Sequence, residues 1–201
     1  GEHSLLLSEC GAVFSTGRHD NGRLGLKRAQ TVEHLAAVAS PNQDDHDVDI
    51  PCELALSCAA LRVAAGEYHS ALVLSDYPER LLTFGCGAVG QLGHIGPTDD
   101  VYEPREVEYF THATNGHAVM SLALGDGHSL VSLDDGSVCA FGNNESGALG
   151  LPGMAAMSGF SKQSERYGFA VRGASRALPA VVTPLLQQQQ NIRKVATGTR
   201  H

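Results

Sequence analysis

A nine-residue pattern recurs three times along this chain: GRHDNGRLG at residues 17–25, GCGAVGQLG at 85–93 and GNNESGALG at 142–150. Each copy reads G-x-x-x-x-G-x-L-G with the same internal spacing. Glycine accepts positive φ and close backbone approach, so three glycines in fixed register indicate one tight turn that is used repeatedly. An internal repeat of this kind is typical of proteins assembled from copies of one structural unit.

The sequence around each motif repeats as well. A G-x-x-H-S sequence precedes two of the copies, at residues 66–70 and 125–129. The chain opens on Glu2-His3-Ser4 and ends on Gly198-Thr199-Arg200-His201, which are parts of the same sequence. Between the histidine and the motif lies a turn such as Asp134-Asp135-Gly136, and Asp-Gly is a favoured pair in tight hairpins. A β-hairpin is therefore predicted after each histidine.

Two further strands are predicted in each unit, one after a proline (Pro51, Pro104 or Pro179) and one before each G-x-x-H. Four short antiparallel strands at a fixed period are typical of the blades of a β-propeller. The sequence thus predicts an all-β protein with three repeats, at approximately residues 3–68, 69–127 and 128–201.

The order of these motifs resembles the regulator of chromosome condensation repeat, and the resemblance covers essentially the whole chain. It implies a propeller, commonly of seven blades with four strands each. The chain departs from the family where Thr16 replaces the aromatic residue before the first motif glycine. Arg23 and Ala148 also replace the glutamine that is present as Gln91.

Three blades do not close a ring, because propellers typically have four or more. Repeat units bury their faces only against neighbours. We therefore expect the remaining blades to lie in the same chain or in another one, and the 201 residues to be part of a larger propeller. An alternative is that two chains assemble into a six-bladed ring.

Composition excludes several classes of function. The net charge is −8 with only 14 Lys and Arg residues, so no direct binding to nucleic acid is expected. No apolar run reaches the roughly 18 residues that span a bilayer, and no membrane partner is expected. The 5 cysteines form no C-x-x-C pair, which favours reduced thiols and an intracellular location, cytoplasmic or nuclear.

Some residues imitate catalytic or ligand sites. Residues 85–90 match the dinucleotide pattern G-x-G-x-x-G, but no helix is predicted after them, so the match is interpreted as a repeat turn. One histidine per repeat is interpreted as structural, bonded to a neighbouring turn. His69 and Ser70 are adjacent on a strand and point to opposite faces, so they are not a catalytic pair. No catalytic residue, cofactor or metal is predicted.

Two long insertions, at residues 26–50 and 151–178, distinguish the first and third repeats from the second. Long loops without their own structure are usually functional or disordered. The candidate partner-binding residues lie there: Arg166, Tyr167, Phe169 and Arg172 in the basic insertion, and Asp44, Asp45 and Asp47 in the acidic one. Calcium binding by the aspartates is disfavoured, because the glycine and glutamate of a dedicated calcium loop are absent.

The predicted function is a non-enzymatic scaffold for protein–protein interaction. The resemblance also implies an alternative, guanine-nucleotide exchange on a Ran-type small GTPase, which requires no catalytic triad. A third role of the fold, ultraviolet-B sensing, requires clustered tryptophans. The chain has none, and Thr199 stands where the resemblance places one.

Overall fold

A computed structural model describes residues 1–26, 47–76, 78–112, 117–151, 175–182 and 191–198. Within these ranges the chain forms eleven strands in three antiparallel sheets, and each sheet follows chain order. Sheet 1 consists of β1 His3–Leu7, β2 Val13–Arg18 and β3 Asp47–Glu53. Sheet 2 consists of β4 Ala60–Ala65, β5 His69–Leu74, β6 Arg80–Gly85 and β7 Val101–Glu106. Sheet 3 consists of β8 Val119–Leu124, β9 His128–Leu133, β10 Val138–Asn143 and β11 Ser175–Val181.

The predicted all-β architecture with four-stranded blades is confirmed. Sheets 2 and 3 have four strands, and three strands of sheet 1 lie within the described residues. One short helix, α1 Glu108–His112, lies between sheets 2 and 3. In the described part of the chain, no helix is long and apolar enough to cross a membrane.

The predicted hairpins form with one register in all three sheets. His3 pairs with Gly17, His69 with Gly85 and His128 with Gly142. This register explains the first motif glycine. Gly85 has φ +108°, and a Cβ there would lie 2.6 Å from the carbonyl oxygen of Tyr68. The histidine of each repeat is thereby held at the same end of its sheet as the nine-residue motif.

The outer strands differ from the prediction, because they contain the proline rather than follow it. In sheet 2 the pairing shifts from Thr83–Arg105 to Gly85–Val101, and Pro104 lies in the resulting bulge. Pro51 and Pro179 lie in equivalent bulges. Proline has no N–H to donate, so it is tolerated at an edge bulge. Residues 47–50 and 175–178, predicted to belong to the insertions, are therefore strand residues.

The hydrophobic core lies between neighbouring sheets. Between sheets 1 and 2, Val13 and Leu24 pack with Leu72 and Phe84. Between sheets 2 and 3, Val73 and Leu81 pack with Phe141 and with Phe110 of α1, among other residues. Phe84 and Phe141 are fully buried. We name these two contacts junction 1 (sheets 1 and 2) and junction 2 (sheets 2 and 3).

The motif glycines shape both junctions. A Cβ on Gly25 would lie 2.8 Å from the Phe84 ring, and one on Gly93 would lie 3.0 Å from the Phe141 ring. The middle glycines of the first two motifs, Gly22 and Gly90, face the outer strand of the next sheet. A Cβ on Gly90 would lie 2.4 Å from the Cα of Ala177. The repeat is glycine-rich because its turns pack against the following sheet with no room for a side chain.

Gly90 and Gly147 form a matched pair that isolates this packing. Their φ values are +82° and +74°, but a Cβ on Gly147 would meet no described atom within 4 Å. Alanine in this conformation costs about 1–2 kcal/mol at either position. We expect Gly90→Ala to reduce the free energy of unfolding by about 2 kcal/mol more than Gly147→Ala, because overpacking adds a cost of that order. Urea unfolding of both variants measures the difference, and equal losses would contradict the assigned contact.

Candidate functional site

A buried hydrogen-bond relay crosses junction 2. The Nε2 atom of His69 lies 2.8 Å from the hydroxyl of Ser129 on the next sheet. That hydroxyl donates back to the main-chain oxygen of Gln91, in the motif that follows β6 of sheet 2, over 2.8 Å. Because the hydroxyl proton is used on the carbonyl, the imidazole must donate from Nε2–H. The relay thus fixes one histidine tautomer and ties two sheets at one point.

Junction 1 carries the same relay. His3 Nε2 lies 2.7 Å from the Ser70 hydroxyl, which donates to the main-chain oxygen of Arg23 over 2.7 Å. Arg23 and Gln91 occupy the same motif position, so the two relays are equivalent. The interpretation of these histidines as structural rather than catalytic agrees with this geometry. Each histidine binds the serine of the following sheet, not the serine beside it in sequence, and each hydroxyl is buried and committed to a carbonyl.

Both relay histidines are neutral at pH 7. Burial lowers the pKa of His69 to about 3, and the nearby His128 and His3 lower it further. Burial also lowers the pKa of His3 to about 4, with added repulsion from the Arg23 guanidinium. A neutral imidazole with its proton on Nε2 is the form that the relay requires.

The glycine of G-x-x-H makes room for the imidazole ring. A Cβ on Gly125 would lie 2.2 Å from Cε1 of His128, and one on Gly66 would lie 3.1 Å from Cε1 of His69. The amide of each glycine also donates to the carbonyl of its histidine, over 2.9 Å and 2.8 Å respectively. The three-residue spacing between glycine and histidine therefore reflects a turn that this main-chain hydrogen bond closes, with the imidazole ring packed against the glycine.

Arg23, which replaces the family glutamine, strengthens junction 1. Its guanidinium donates to the carbonyl oxygens of Asp20 and Glu67, over 3.0 and 3.1 Å, and lies 5.2 Å from the centre of the Tyr68 ring. Gln91 is equally buried at the equivalent position, where its Oε1 accepts from the Val89 amide over 3.0 Å. The sequence marked this position as variable but did not indicate that it fills a junction.

A related contact stabilises sheet 2 internally. The Thr83 hydroxyl donates to the carbonyl of Leu92 over 2.7 Å and lies 2.9 Å from His94 Nε2. Burial lowers the pKa of His94 to about 4. Sequence reasoning missed this histidine, because no repeated pattern marks it. The described residues contain no group of three or more side chains suited to hold a metal ion.

Of the predicted partner-binding residues, the structure describes only Asp47. It is exposed at the start of β3, where its main chain lies opposite Arg18 of β2 in the strand register. Asp44, Asp45, Arg166, Tyr167, Phe169 and Arg172 lie outside the described residues. The attachment points of both insertions are described. The first connects Leu26 to Asp47 and the second connects Leu151 to Ser175, which pairs with Asn143.

Both insertions therefore attach on one side of the protein. This surface, formed by the G-x-x-H turns and the three nine-residue motifs, is called the motif face here. The equivalent connection in sheet 2 is short and runs through Ile95, which is 57% exposed. Among the described residues of the motif face, acidic side chains predominate, and Arg18 forms ion pairs with Glu2 and Asp20 at 2.7 and 2.6 Å. The acidic residues are Glu2, Asp20, Asp47, Glu67, Asp99, Asp100, Asp126 and Glu145.

Comparisons with known proteins agree with the repeat architecture. The family model for the regulator of chromosome condensation (RCC1) repeat matches residues 79–132. The chain is 32% identical over 153 residues to human probable E3 ubiquitin-protein ligase HERC3, covering 75% of this chain and 12% of that protein. The chain belongs to the RCC1-repeat family. It is also 28% identical over 205 residues to the X-linked retinitis pigmentosa GTPase regulator homolog of Caenorhabditis elegans, covering 89% and 14%.

Solved structures of RCC1-type propellers show the same fold. Yeast RCC1 (Prp20), solved with Kap60 bound, superposes with a TM-score of 0.70 at 23% identity, covering 98% of this chain and 38% of that one. This RCC1-repeat chain thus spans between a third and two fifths of that propeller, and about one eighth of the human ligase. Relatives include ligases and the mouse kinase Nek9, but the match covers only a small share of each, so no enzymatic activity is shown for this chain.

The relay serine provides a direct test of junction 2. We expect Ser129→Ala to reduce the free energy of unfolding by about 1–3 kcal/mol, because it leaves a buried donor and a buried acceptor without their partner. Ser132→Ala on the same strand is the control, since that buried hydroxyl makes one longer bond of 3.3 Å to Arg193. Thermal or urea unfolding measures both. A loss no larger than that of the control would contradict the assigned relay.

Proposed function

We propose that this RCC1-repeat chain is a non-enzymatic partner-binding scaffold that binds proteins through the motif face. The observation that carries the proposal is the attachment of both insertions to this one face. One insertion leaves and returns at sheet 1, and the other at sheet 3. Sheet 2, with its short connection, lies between them. Binding residues concentrate on loops that a rigid scaffold presents, and the two buried junctions supply that rigidity.

The chemistry of the insertions supports this assignment. Arg166, Tyr167, Phe169 and Arg172 combine guanidinium and aromatic side chains, which are enriched among the residues that dominate binding energy at protein interfaces. Asp44 and Asp45 in the other insertion, with Asp47 at the start of β3, supply the opposite charge. Opposite charges in two binding segments fix the orientation of a partner as well as its approach.

The outer edges of the sheets are poor alternatives to the motif face. A partner that adds a strand to an edge needs a regular row of free N–H and C=O groups. Each outer strand is instead interrupted by a bulge with a proline, at Pro51, Pro104 and Pro179. Proline and bulges are devices that protect an edge against strand addition.

A second candidate function is guanine-nucleotide exchange on a Ran-type small GTPase. The observation that favours it is the similarity to yeast Prp20p, whose solved structure is reported with its binding properties to Gsp1p and histones. That similarity is 24% in sequence, with a TM-score of 0.64. In this alternative, the small GTPase would be one of the proteins that bind to the scaffold.

The basic insertion can be tested with a matched control. We expect the triple variant Arg166→Ala, Tyr167→Ala, Arg172→Ala to bind its protein partners at least tenfold more weakly without a change in melting temperature. The control is Arg193→Ala with Lys194→Ala. It also removes two cations, but from the segment beside the β9–β10 hairpin turn, at the opposite end of sheet 3. Partners identified by affinity capture with the unaltered protein are then titrated against all three forms. Equal weakening by the control would contradict a site in the insertion.

The two candidate functions predict different results with a GTPase. Release of a fluorescent GDP analogue from Ran is measured with and without the full-length protein. The scaffold function predicts no acceleration at micromolar protein, because no nucleotide-displacing element is invoked. Acceleration by tenfold or more would instead assign exchange to this propeller.

A further inference from the structure

The two junction relays share a feature that their structural role does not require. In each, the second ring nitrogen, Nδ1 of His3 or of His69, is buried with no hydrogen-bond partner. Protonation of a relay histidine would place both a charge and an unsatisfied donor at that buried nitrogen. An imidazolium in this position is disfavoured for as long as the junction stays closed.

Charged groups around the two rings add to this effect. His3 faces the guanidinium of Arg23, which opposes its protonation, and the carboxylate of Glu67, which partly offsets that effect. His69 faces His3 and His128, the equivalent histidines of the neighbouring sheets. Protonation of one ring therefore meets cations or other histidines on the elements packed against it. Opening a junction separates these groups and exposes the ring to water.

We propose that the junctions form a proton-sensitive device, in which mild acid loosens the contacts between sheets before it disrupts the strand pairing within them. The proposal is independent of the partner-binding function. Strand pairing within each sheet depends on main-chain hydrogen bonds, which do not titrate in this range. The relay histidines lie at the two junctions, and a protonated ring keeps its Nε2–H bond but satisfies its charge and its Nδ1–H only where water reaches it.

The direction follows from proton linkage. A histidine that titrates near 6.5 in the open state and lower in the closed state binds a proton preferentially in the open state. The closed junction is therefore fully favoured above about pH 6.5 and loses stability as the pH falls toward the closed-state values. Between pH 7 and pH 5, each such histidine raises the opening equilibrium constant by about 25-fold.

Hydrogen exchange at pH 7 and pH 5 tests the proposal in the full-length protein, with rates corrected for the intrinsic effect of pH. The Glu67 amide crosses junction 2 to the carbonyl of Gly125, at 3.1 Å, and reports opening. Amides in the β5–β6 ladder, such as Leu72, report the integrity of sheet 2. We expect protection at Glu67 to fall by about 25-fold at pH 5, while the ladder amides keep theirs.

Two variants separate the proton from the hydrogen bond. His69→Gln keeps an N–H donor but cannot titrate, so it should abolish most of the acid-induced loss of protection at Glu67. Ser129→Ala removes the hydrogen bond but keeps the histidine, so it should lower protection at both pH values and retain the difference between them. His94 stays in both variants, so it does not account for a difference between them.

Two results would overturn the proposal. The first is a loss of protection at Leu72 equal to that at Glu67, which would show that acid unfolds the sheet as a whole. The second is an unchanged pH dependence in His69→Gln, which would assign the effect to other groups. If His69→Gln does not fold, the closed-state pKa of His69 measured by NMR in the unaltered protein decides instead, and a value near 6.5 would refute the device.

Discussion

The structure depends on one buried contact, the relay from a histidine Nε2–H through a serine hydroxyl to a main-chain carbonyl of the preceding sheet. It occurs at both described junctions with nearly identical distances, 2.7 and 2.7 Å in one and 2.8 and 2.8 Å in the other. Each polar atom on this path finds a partner only when the neighbouring sheet is in place. Hydrophobic contact between two sheets is non-directional. The relay adds hydrogen bonds that fix the position of one sheet against the next.

The sequence was sufficient to predict the repeat, the all-β sheets, the hairpins and the turn glycines, because those features follow from local chemistry. Gly85, for example, has φ +108°, and the recurring glycine of the motif already predicted a turn of this kind. The partner of His69 was not predictable in the same way. Ser129 lies a full repeat further along the chain, and only the packing of one sheet on the next brings the two together. The burial of Arg23 in junction 1 was not predictable for the same reason, whereas His94 was missed because no repeated pattern marks it.

The candidate binding face is likewise a product of topology rather than of any single motif. The insertions were recognised by their length and charge, but the strand register places their ends on one surface. Asp47 illustrates the difference. The sequence analysis assigned it to a loop, and the structure places it at the start of β3, opposite Arg18 in the strand register. The nine-residue motif therefore has two roles: its glycines fit one sheet against the next, and its outer side lies on the face at which both insertions attach.

The most direct measurement is a double-mutant cycle between His69 and Ser129, using His69→Ala, Ser129→Ala and the double variant in urea unfolding. If the relay holds the junction, the two losses are not additive, and the coupling free energy is about 1–2 kcal/mol in magnitude. The cycle between His69 and Ser70, adjacent residues that point to opposite faces of β5, serves as the comparison and should give less than about 0.5 kcal/mol. Additive losses in the first cycle would contradict the account.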